Sequence, residues 1–463
     1  MKMMLHGKKR QHYEMDMCNG SILKKMLLFA FPLMFSNILQ LLFNAADIIV
    51  VGNFAGDNSL AAVGSNTALI NLLTNLFIGL SIGANVLVAR YYGADKKDEL
   101  KDTVHTAMLL SFISGCILMV IGVIFARYLL ILMQTPDKIL SLATLYLRIY
   151  FLGMPAMMVY NFGSAILRAV GDTKRPLYFL FAAGVVNIAL NLLLVIVFKL
   201  DVAGVAIATV ISETISATLV VMCLIRDKSV IHLDIKKLRI RRDKFGMIMK
   251  IGLPAGFQGT VFSLSNVVIQ SSINLFGEIV VAGNSAAANI EGFVYMAMNT
   301  FHHATLSFTG QNYGAGRMDR IKKILFTGQG CVIVTGMLLG QLAVLLGRPL
   351  LGIYTDNPVA VDAGMVRLQM ICGTYALCGM MDVMVGSIRG LGYAVLPMVV
   401  SLVGACGLRL VWIATIFRIP EFHTTKVIYA SYPITWIITF AAHVICFVII
   451  WNKIKKKNTP NIN

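Results

Sequence analysis

The sequence predicts an all-α integral membrane protein with twelve transmembrane helices, arranged as two pseudo-symmetric six-helix bundles. Three observations carry that expectation. The 463-residue chain is 57% hydrophobic and only 13% charged, more apolar surface than a soluble fold of this size can place in its interior. Its basic residues gather at every second connection between apolar stretches. A set of motifs returns once, at a nearly constant offset.

A helix needs about 20 apolar residues to cross a hydrocarbon core. On that scale the chain predicts helices over residues 22 to 51, 60 to 92, 104 to 126, 139 to 168, 176 to 198 and 203 to 225. A second series runs 247 to 276, 280 to 312, 324 to 347, 359 to 389, 396 to 417 and 427 to 452. The turns between them carry the Gly, Pro, Asn and Asp that end helices, as in Gly52-Asn53-Phe54-Ala55-Gly56-Asp57 and Thr355-Asp356-Asn357-Pro358. The polar, basic start leads into a long apolar stretch without a small-residue cleavage site, so no removable signal peptide is expected.

Charge placement sets the orientation. The net charge of +18 raises the question of a nucleic-acid partner, but 31 of the 40 Lys and Arg lie in seven places. These are Lys2 to Lys25, Arg90 to Lys101, Arg168 to Arg175, Arg226 to Lys250, Arg317 to Lys323, Arg389, and Lys453 to Lys457. They are alternate connections of a twelve-helix chain, so the positive-inside rule puts them and both termini in the cytoplasm of a multi-pass cell (inner) membrane protein. No nucleic-acid partner is expected. The eight Cys are scattered, mostly within apolar runs and with no C-x-x-C pair, and act as small packing residues.

The repeat is the strongest single feature. Tyr92-Gly93-Ala94 with Asp98 returns as Tyr313-Gly314-Ala315 with Asp319, and Arg168-x-x-Gly171 with Pro176 returns as Arg389-x-x-Gly392 with Pro397, both offset by 221. Pro32 returns as Pro254, offset by 222. Six helices lie between repeats, an even number, so both halves enter the membrane in the same sense. Two parallel repeats related by an axis along the membrane normal leave a cleft between them suited to alternating access. The expected division is a bundle over 1–225, a cytoplasmic basic linker over 226–250, part of it able to form a short interfacial helix, and a second bundle over 251–463.

An ionisable group inside a membrane helix is costly and is a functional candidate by default. Asp47 stands out, because no other charge lies between Lys25 and the outer turn of predicted helix 1. Gln40, Asn44 and Asp47 share a face at i, i+4, i+7 spacing. With ~1.5 Å of rise per residue, Asp47, Asn191 and Thr209 all fall within roughly 10 Å of the outer surface, with Asn187 a turn deeper. Their oxygens are hard ligands for a small cation, while a desolvated Asp can instead hold a proton. Local capping by Asp47 is the alternative. Asp382 is the acid candidate of the second half, with a pair to Arg409 as its structural alternative. Glu213 and Glu291 lie mid-span, suited either to the substrate or to buried pairs. Snorkelling accounts for Arg148 and Arg367. His302, His303 and His443 lack metal-ligand spacing, and no phosphate-binding G-x-x-x-x-G-K-[ST] loop occurs, so neither a metalloenzyme nor an ATP-driven pump is expected.

At these residues the chain resembles the multidrug and toxic compound extrusion family, and more closely its prokaryotic DinF-type branch. The resemblance rests on Pro32 followed by Asp47, on Leu80-Ser81-Ile82-Gly83-Ala84-Asn85, on Tyr92-Gly93-Ala94, on Ile166-Leu167-Arg168-Ala169-Val170-Gly171-Asp172, and on Gly310-Gln311-Asn312-Tyr313-Gly314-Ala315-Gly316. It implies a coupling cation, H+ or Na+, held in the first half by Asp47 with Asn187 and Thr209. It also implies a bend of helix 1 at Pro32, where the missing N–H removes a backbone hydrogen bond, and a substrate cavity touched by Gln40. In two places the chain departs from the family. Asn191 stands where that branch often has a second carboxylate, leaving one negative charge, and Gln258 and Phe262 occupy the stretch where the NorM-type branch carries a Glu.

The expected function is secondary active antiport, exporting drug-like or cationic small molecules in exchange for H+ or Na+. The alternative is a flippase or exporter of a lipid-linked or other endogenous metabolite. The cation would sit on Asp47, Asn187, Asn191 and Thr209, and the substrate cavity would involve Gln40, Asn44, Glu213, Gln258, Glu291 and Asp382. No enzymatic activity, no cofactor and no metal beyond Na+ at Asp47 are expected. The expected partners are organic cations and lipid, around a monomeric chain.

Overall fold

The computed structural model describes residues 13–458, and every regular element among them is helical. The first half comprises α1 (Ile22–Phe54), α2 (Asp57–Gly93), α3 (Lys97–Leu132), α4 in two rods (Asp137–Leu152 and Met154–Ala169), α5 (Lys174–Asn191) and α6 (Asp201–Arg226). The second half comprises α7 (Arg242–Asn274), α8 (Glu278–Gly314), α9 (Met318–Leu345), α10 in two rods (Pro358–Ile371 and Ala376–Gly390), α11 starting at Val395–Ser401, and α12 (Thr425–Asn458). Eight helices are long and apolar enough to span a membrane alone, and α4 and α10 each pass as a bent pair. The two remaining helices, α7 and α8, are 33 and 37 residues long and carry more polar residues; both pack against α2 along the seam between the halves.

Local chemistry sets the element ends. Ser21 caps α1 by accepting from the Lys24 N–H, and Asn357 caps α10 ahead of Pro358 by accepting from the Val359 N–H at 2.9 Å. The repeat is visible in the backbone itself. Residues with positive φ recur at the 221-residue offset as Gly56 and Gly277 (82° and 88°), Asp95 and Gly316 (56° and 70°), and Gly171 and Gly392 (93° and 90°). Each pair ends or begins the corresponding helix in the two halves, where a left-handed residue turns the chain sharply.

Several helices depart from the uniform rods expected. The segment expected as one helix over 139 to 168 bends by 47° at Gly153, because Pro155 has no N–H for the turn before it and its ring crowds that turn. Its counterpart, expected over 359 to 389, bends by 45° through the 3-10 turn Cys372–Thr374. Directly after Asn191, α5 continues as a π-helical segment, Leu192–Val197, and α11 passes through another, Leu402–Gly407, before Leu408–Ala414. The connection between the halves is shorter than the expected 226–250, because α7 already begins at Arg242; within it only Ile235–Lys237 forms a helical turn. Hydropathy marks the hydrocarbon core, whereas α3, α7 and other helices continue past it.

We call the membrane face bearing residues 94–96, 170–173, 227–241 and 315–317 the basic face. The halves meet along α2, which packs against both α7 and α8. A Cβ added at Gly79 or Gly83 of α2 would strike the backbone of Gly256 or Ile248 in α7, and one at Gly252 or Gly256 would strike α2 in return. Nearer the basic face, a Cβ on Gly93 would overlap Gln311 of α8, and one on Gly314 would overlap Arg90. Small residues let helices touch backbone to backbone, which in lipid supplies the dispersion contact that hydrophobicity cannot. Hydrogen bonds across the seam include Asn75 to Ser263 (3.1 Å), Ser307 to Asn85 (3.1 Å), Arg90 to the Leu391 carbonyl (2.9 Å) and Gln311 to the Ala169 carbonyl (2.7 Å). The last two join pseudo-equivalent places in opposite directions.

Gly256→Leu should therefore push α7 off α2. Overpacking of this kind costs about 1–3 kcal/mol, so a fall in the thermal unfolding midpoint on the order of 5 °C is expected in detergent. An unchanged midpoint would show that α2 and α7 do not pack as tightly as described.

Candidate functional site

Asp47 lies seven residues before the end of α1, or ~10 Å along the helix from the face opposite the basic one. It is brought to α5 by a close helix contact. A Cβ on Gly184 would fall into the ring of Phe43, so α1 and α5, which run in the same direction, meet one turn before Asp47 and less than one turn before Asn187. Asn191 donates through Nδ2 to one Asp47 carboxylate oxygen, and Thr209 Oγ1 of α6 lies 3.5 Å from the other, its single proton shared with the nearer Val205 carbonyl at 3.0 Å. Asn187 makes no direct bond to Asp47; its Oδ1 accepts from the same Asn191 amide at 3.2 Å. Asn187 and Asn191 are buried, whereas Asp47 itself is part-exposed.

The site is not saturated. Asn191 Oδ1 is buried with no hydrogen-bond partner, and such an acceptor costs stability unless something meets it. Rotating that amide by half a turn would present its oxygen beside the carboxylate and the Thr209 hydroxyl, a set of hard oxygen ligands with one negative charge. Tyr146 and Tyr150 of α4, stacked at 5.8 Å, are in electrostatic range of Asp47, and Tyr150 also of Glu213. Sequence reasoning passed over both tyrosines. Their i, i+4 spacing in a helix with few other polar groups was the available signal.

Gln40 and Asn44 lie on the Asp47 stripe of α1 and are exposed. The same stripe begins at Asn37, whose amide donates to the Met296 carbonyl of α8 at 3.3 Å. Gln40 and Asn44 thus lie between the point where α1 touches the second half and the Asp47 site. Pro32 falls inside α1, which stays helical through it; Ser36 Oγ donates to the Pro32 carbonyl at 3.1 Å. Glu213 is half-buried on α6, near Tyr150 and Tyr160.

The second-half candidates are separated by their partners. Glu291 of α8 is held by both arms of Arg367 at 2.7 Å each, and Arg367 also donates to Asn284 at 2.6 Å. Tyr429 donates to that same Asn284 oxygen at 3.0 Å. Snorkelling, expected for Arg367, is therefore not what it does: it turns inward because a carboxylate on a neighbouring helix compensates its charge. Arg148 is exposed and donates to the Val123 carbonyl at 3.2 Å. Asp382 lies within electrostatic reach of Tyr295 and Arg389. Its anticipated partner Arg409 instead donates to Thr435 at 3.2 Å and stacks 3.9 Å over the Tyr432 ring, since π-helical winding in α11 turns it towards α12. Gln258 accepts from Arg389 at 2.8 Å, and His302 bonds the Asp382 carbonyl at 2.7 Å. No group of three or more His, Cys, Asp or Glu among the described residues has the arrangement of a metal site.

Known proteins show the same architecture. The family model described as MatE matches residues 32–193 and again 254–415, one match per half. The Bacillus subtilis protein named "Probable multidrug resistance protein YoeA" is 30% identical over 84% of this chain and 86% of its own length. A FAD transporter of Shewanella oneidensis is 25% identical over 69% of this chain and 72% of its length. Among solved structures, a multidrug resistance MATE family transporter in an outward-facing conformation superposes with a TM-score of 0.89 at 20% identity, covering 97% of this chain and 100% of that one. With the family's signature in both repeats and a relative similar over most of its length, this chain belongs to the MatE, or multidrug and toxic compound extrusion, family: it is a multi-pass membrane transporter and not an enzyme.

Proposed function

We propose that the protein exports drug-like or cationic small molecules by exchanging them for H+ or Na+ bound at Asp47. The observation that carries this reading is a single acid near one end of α1, bonded to α5 beside an unpaired buried amide oxygen and within reach of Thr209 on α6, on the same stripe as the exposed Gln40 and Asn44. Relatives named as multidrug resistance and export proteins support the substrate class. The concentration of Lys and Arg supports assigning the basic face to the cytoplasm of the cell.

Coupling follows from differential affinity. A ligand shifts a two-state equilibrium only by as much as it prefers one state. A cation on Asp47 neutralises the carboxylate and relieves the Asn191 acceptor, drawing α1 against α5 and α6. Pro32 gives α1 a place to bend as this happens, since one backbone hydrogen bond is already missing there. Substrate in the cleft favours the opposite arrangement, so each ligand expels the other. A second reading, export of an endogenous metabolite, is favoured by the similarity to a FAD transporter and by the buried Arg389 beside Gln258. Efflux assays with organic cations and with flavin nucleotides separate the two.

Asp47→Asn should abolish coupled efflux from proteoliposomes while leaving expression and monodispersity intact; efflux at the wild-type rate would remove Asp47 from the mechanism. Imposing H+ and Na+ gradients separately identifies the ion, and transport that ignores both sinks the antiport reading. Asn191→Asp adds a second carboxylate and is expected to strengthen Na+ dependence, seen as a lower Na+ concentration for half-maximal transport. Removing Arg367 alone leaves Glu291 buried and uncompensated at a cost of about 3–5 kcal/mol. Arg367→Met should therefore destabilise far more than Arg367→Met with Glu291→Gln; equal losses would show that the two residues are not coupled.

A further inference from the structure

The segment that precedes α1 is not a loose tail. Residues 13–20 thread into the seam between the halves at the basic face, and Met17 is 0% exposed. Its side chain belongs to the apolar cluster of the second half, with Phe29, Phe308, Ile388 and Leu391. Its carbonyl accepts from Asn312 of α8, a fully buried amide, at 3.0 Å. Arg317 donates to the Asn19 side chain at 3.2 Å, and Arg320 to the Gly20 carbonyl at 3.0 Å.

The same few residues also bind the first half. The Met15 N–H donates to the Val170 carbonyl at 3.2 Å, and Tyr92 of α2 donates to Glu14 at 3.0 Å. A Cβ on Gly171 would press on Met15, so this turn is shaped to receive the segment. Pseudo-symmetry shows what the segment replaces. Gly392 is the counterpart of Gly171, and the group packed against it is the Arg90 guanidinium, which bonds the carbonyl of Leu391, the counterpart of Val170. In both halves a side chain of the opposite half bonds this turn, Arg90 at Leu391 and Gln311 at the Ala169 carbonyl. The difference is what covers the glycine: the Arg90 guanidinium on Gly392, but Met15 of residues 13–20 on Gly171, a segment that also holds α8.

The segment is stiff and continuous with α1. Asp16 accepts from the Cys18 N–H and from the Asn19 amide, both at 2.9 Å, and Lys25 of α1 donates to the carbonyls of Asp16 at 2.5 Å and Asn19 at 2.8 Å. Ser21 then caps the helix. Motion of the basic-face end of α1 therefore moves this hook as one piece.

We propose that residues 13–20 form a latch that holds the basic face shut and must withdraw from the seam, carried by α1, before that face can open. This rests on the alternating-access reading. Because α1 carries Asp47 towards its other end, with Pro32 between, the latch ties what happens at the ion site to a gate ~38 Å away along the helix, at its Ile22 end. Closing the basic face seats Met17; opening it strips Met17 from its apolar cluster and frees one N–H of the Asn312 amide, whose other bond, to the Phe308 carbonyl at 2.9 Å, stays within α8. An equilibrium between closed and open is biased by every contact made in one state only.

The test uses the full chain in nanodiscs, without ion gradient or substrate. Hydrogen exchange is followed in peptides covering 85–93 and 306–314, where α2 crosses α8, for the wild type and for Met17→Ser and Met17→Asp. Exchange at the crossing should accelerate ~tenfold or more in both variants, with that of α3 and α9 unchanged. Unchanged exchange at the crossing in a folded variant overturns the latch. Should both variants fail to fold, Met17→Cys with Asn312→Cys provides the complementary arm. An oxidised crosslink between them should stop transport reversibly, with recovery on reduction, and full transport by a verified crosslinked sample overturns the proposal equally. Exchange reports opening directly, so a failed latch is distinguishable from a failed antiport reading, which the separate-gradient experiment tests.

Discussion

The close approach of α2 to α7 and α8 is the constraint on which the rest of the structure depends. In lipid, helices gain little from burying apolar surface against one another, because lipid tails are equally apolar. What remains is packing quality, and glycines at 79, 83, 252 and 256 let two backbones meet directly, with Gly93 and Gly314 repeating the arrangement at α8. The polar bonds of the seam, Asn75 to Ser263 and Arg90 to Leu391 among them, add direction to a contact made mainly by backbone packing.

Set against that shared frame, the halves use their buried charges differently. In the second half Glu291 is answered by Arg367, which with Tyr429 also donates to Asn284, so the network's charges are paired. Such a network holds α8, α10 and α12 in one arrangement and is poorly suited to gaining or losing an ion. In the first half Asp47 has two donors and no cationic neighbour among its hydrogen-bond partners, and Asn191 keeps an unmet acceptor. An incompletely satisfied buried cluster is costly, and under the proposed coupling that cost is the energy a bound cation would relieve. From one duplicated plan the two halves thus pair their buried acids differently.

The polar reach of α1 connects these observations. Asn37 touches the second half at mid-depth, Asp47 touches α5 and α6 towards one end, and the segment before Ile22 occupies the seam at the other. A single helix interrupted only by Pro32 thus contacts both halves at two depths, more than its modest share of buried residues suggests.

The sequence by itself determined the spans, their alternation across the membrane, the duplication and the prominence of Asp47. Hydropathy, charge placement and motif spacing are properties of the chain in one dimension, and the bilayer reads them in that form. Asn191 and Thr209 could be set at the depth of Asp47 by counting residues along their helices, because rise per residue is nearly constant. Tertiary structure alone decided what each polar group faces. Arg367 meets Glu291 and Arg409 turns from Asp382 to Thr435 because of the rotation of each helix about its axis, which nearly uniform apolar stretches do not encode. The bends at Gly153 and at Cys372–Thr374 shift those rotations further. The polar segment ahead of α1 gave no sign of its place, since Met17 is buried by residues some three hundred positions away, and only the folded chain brings them together.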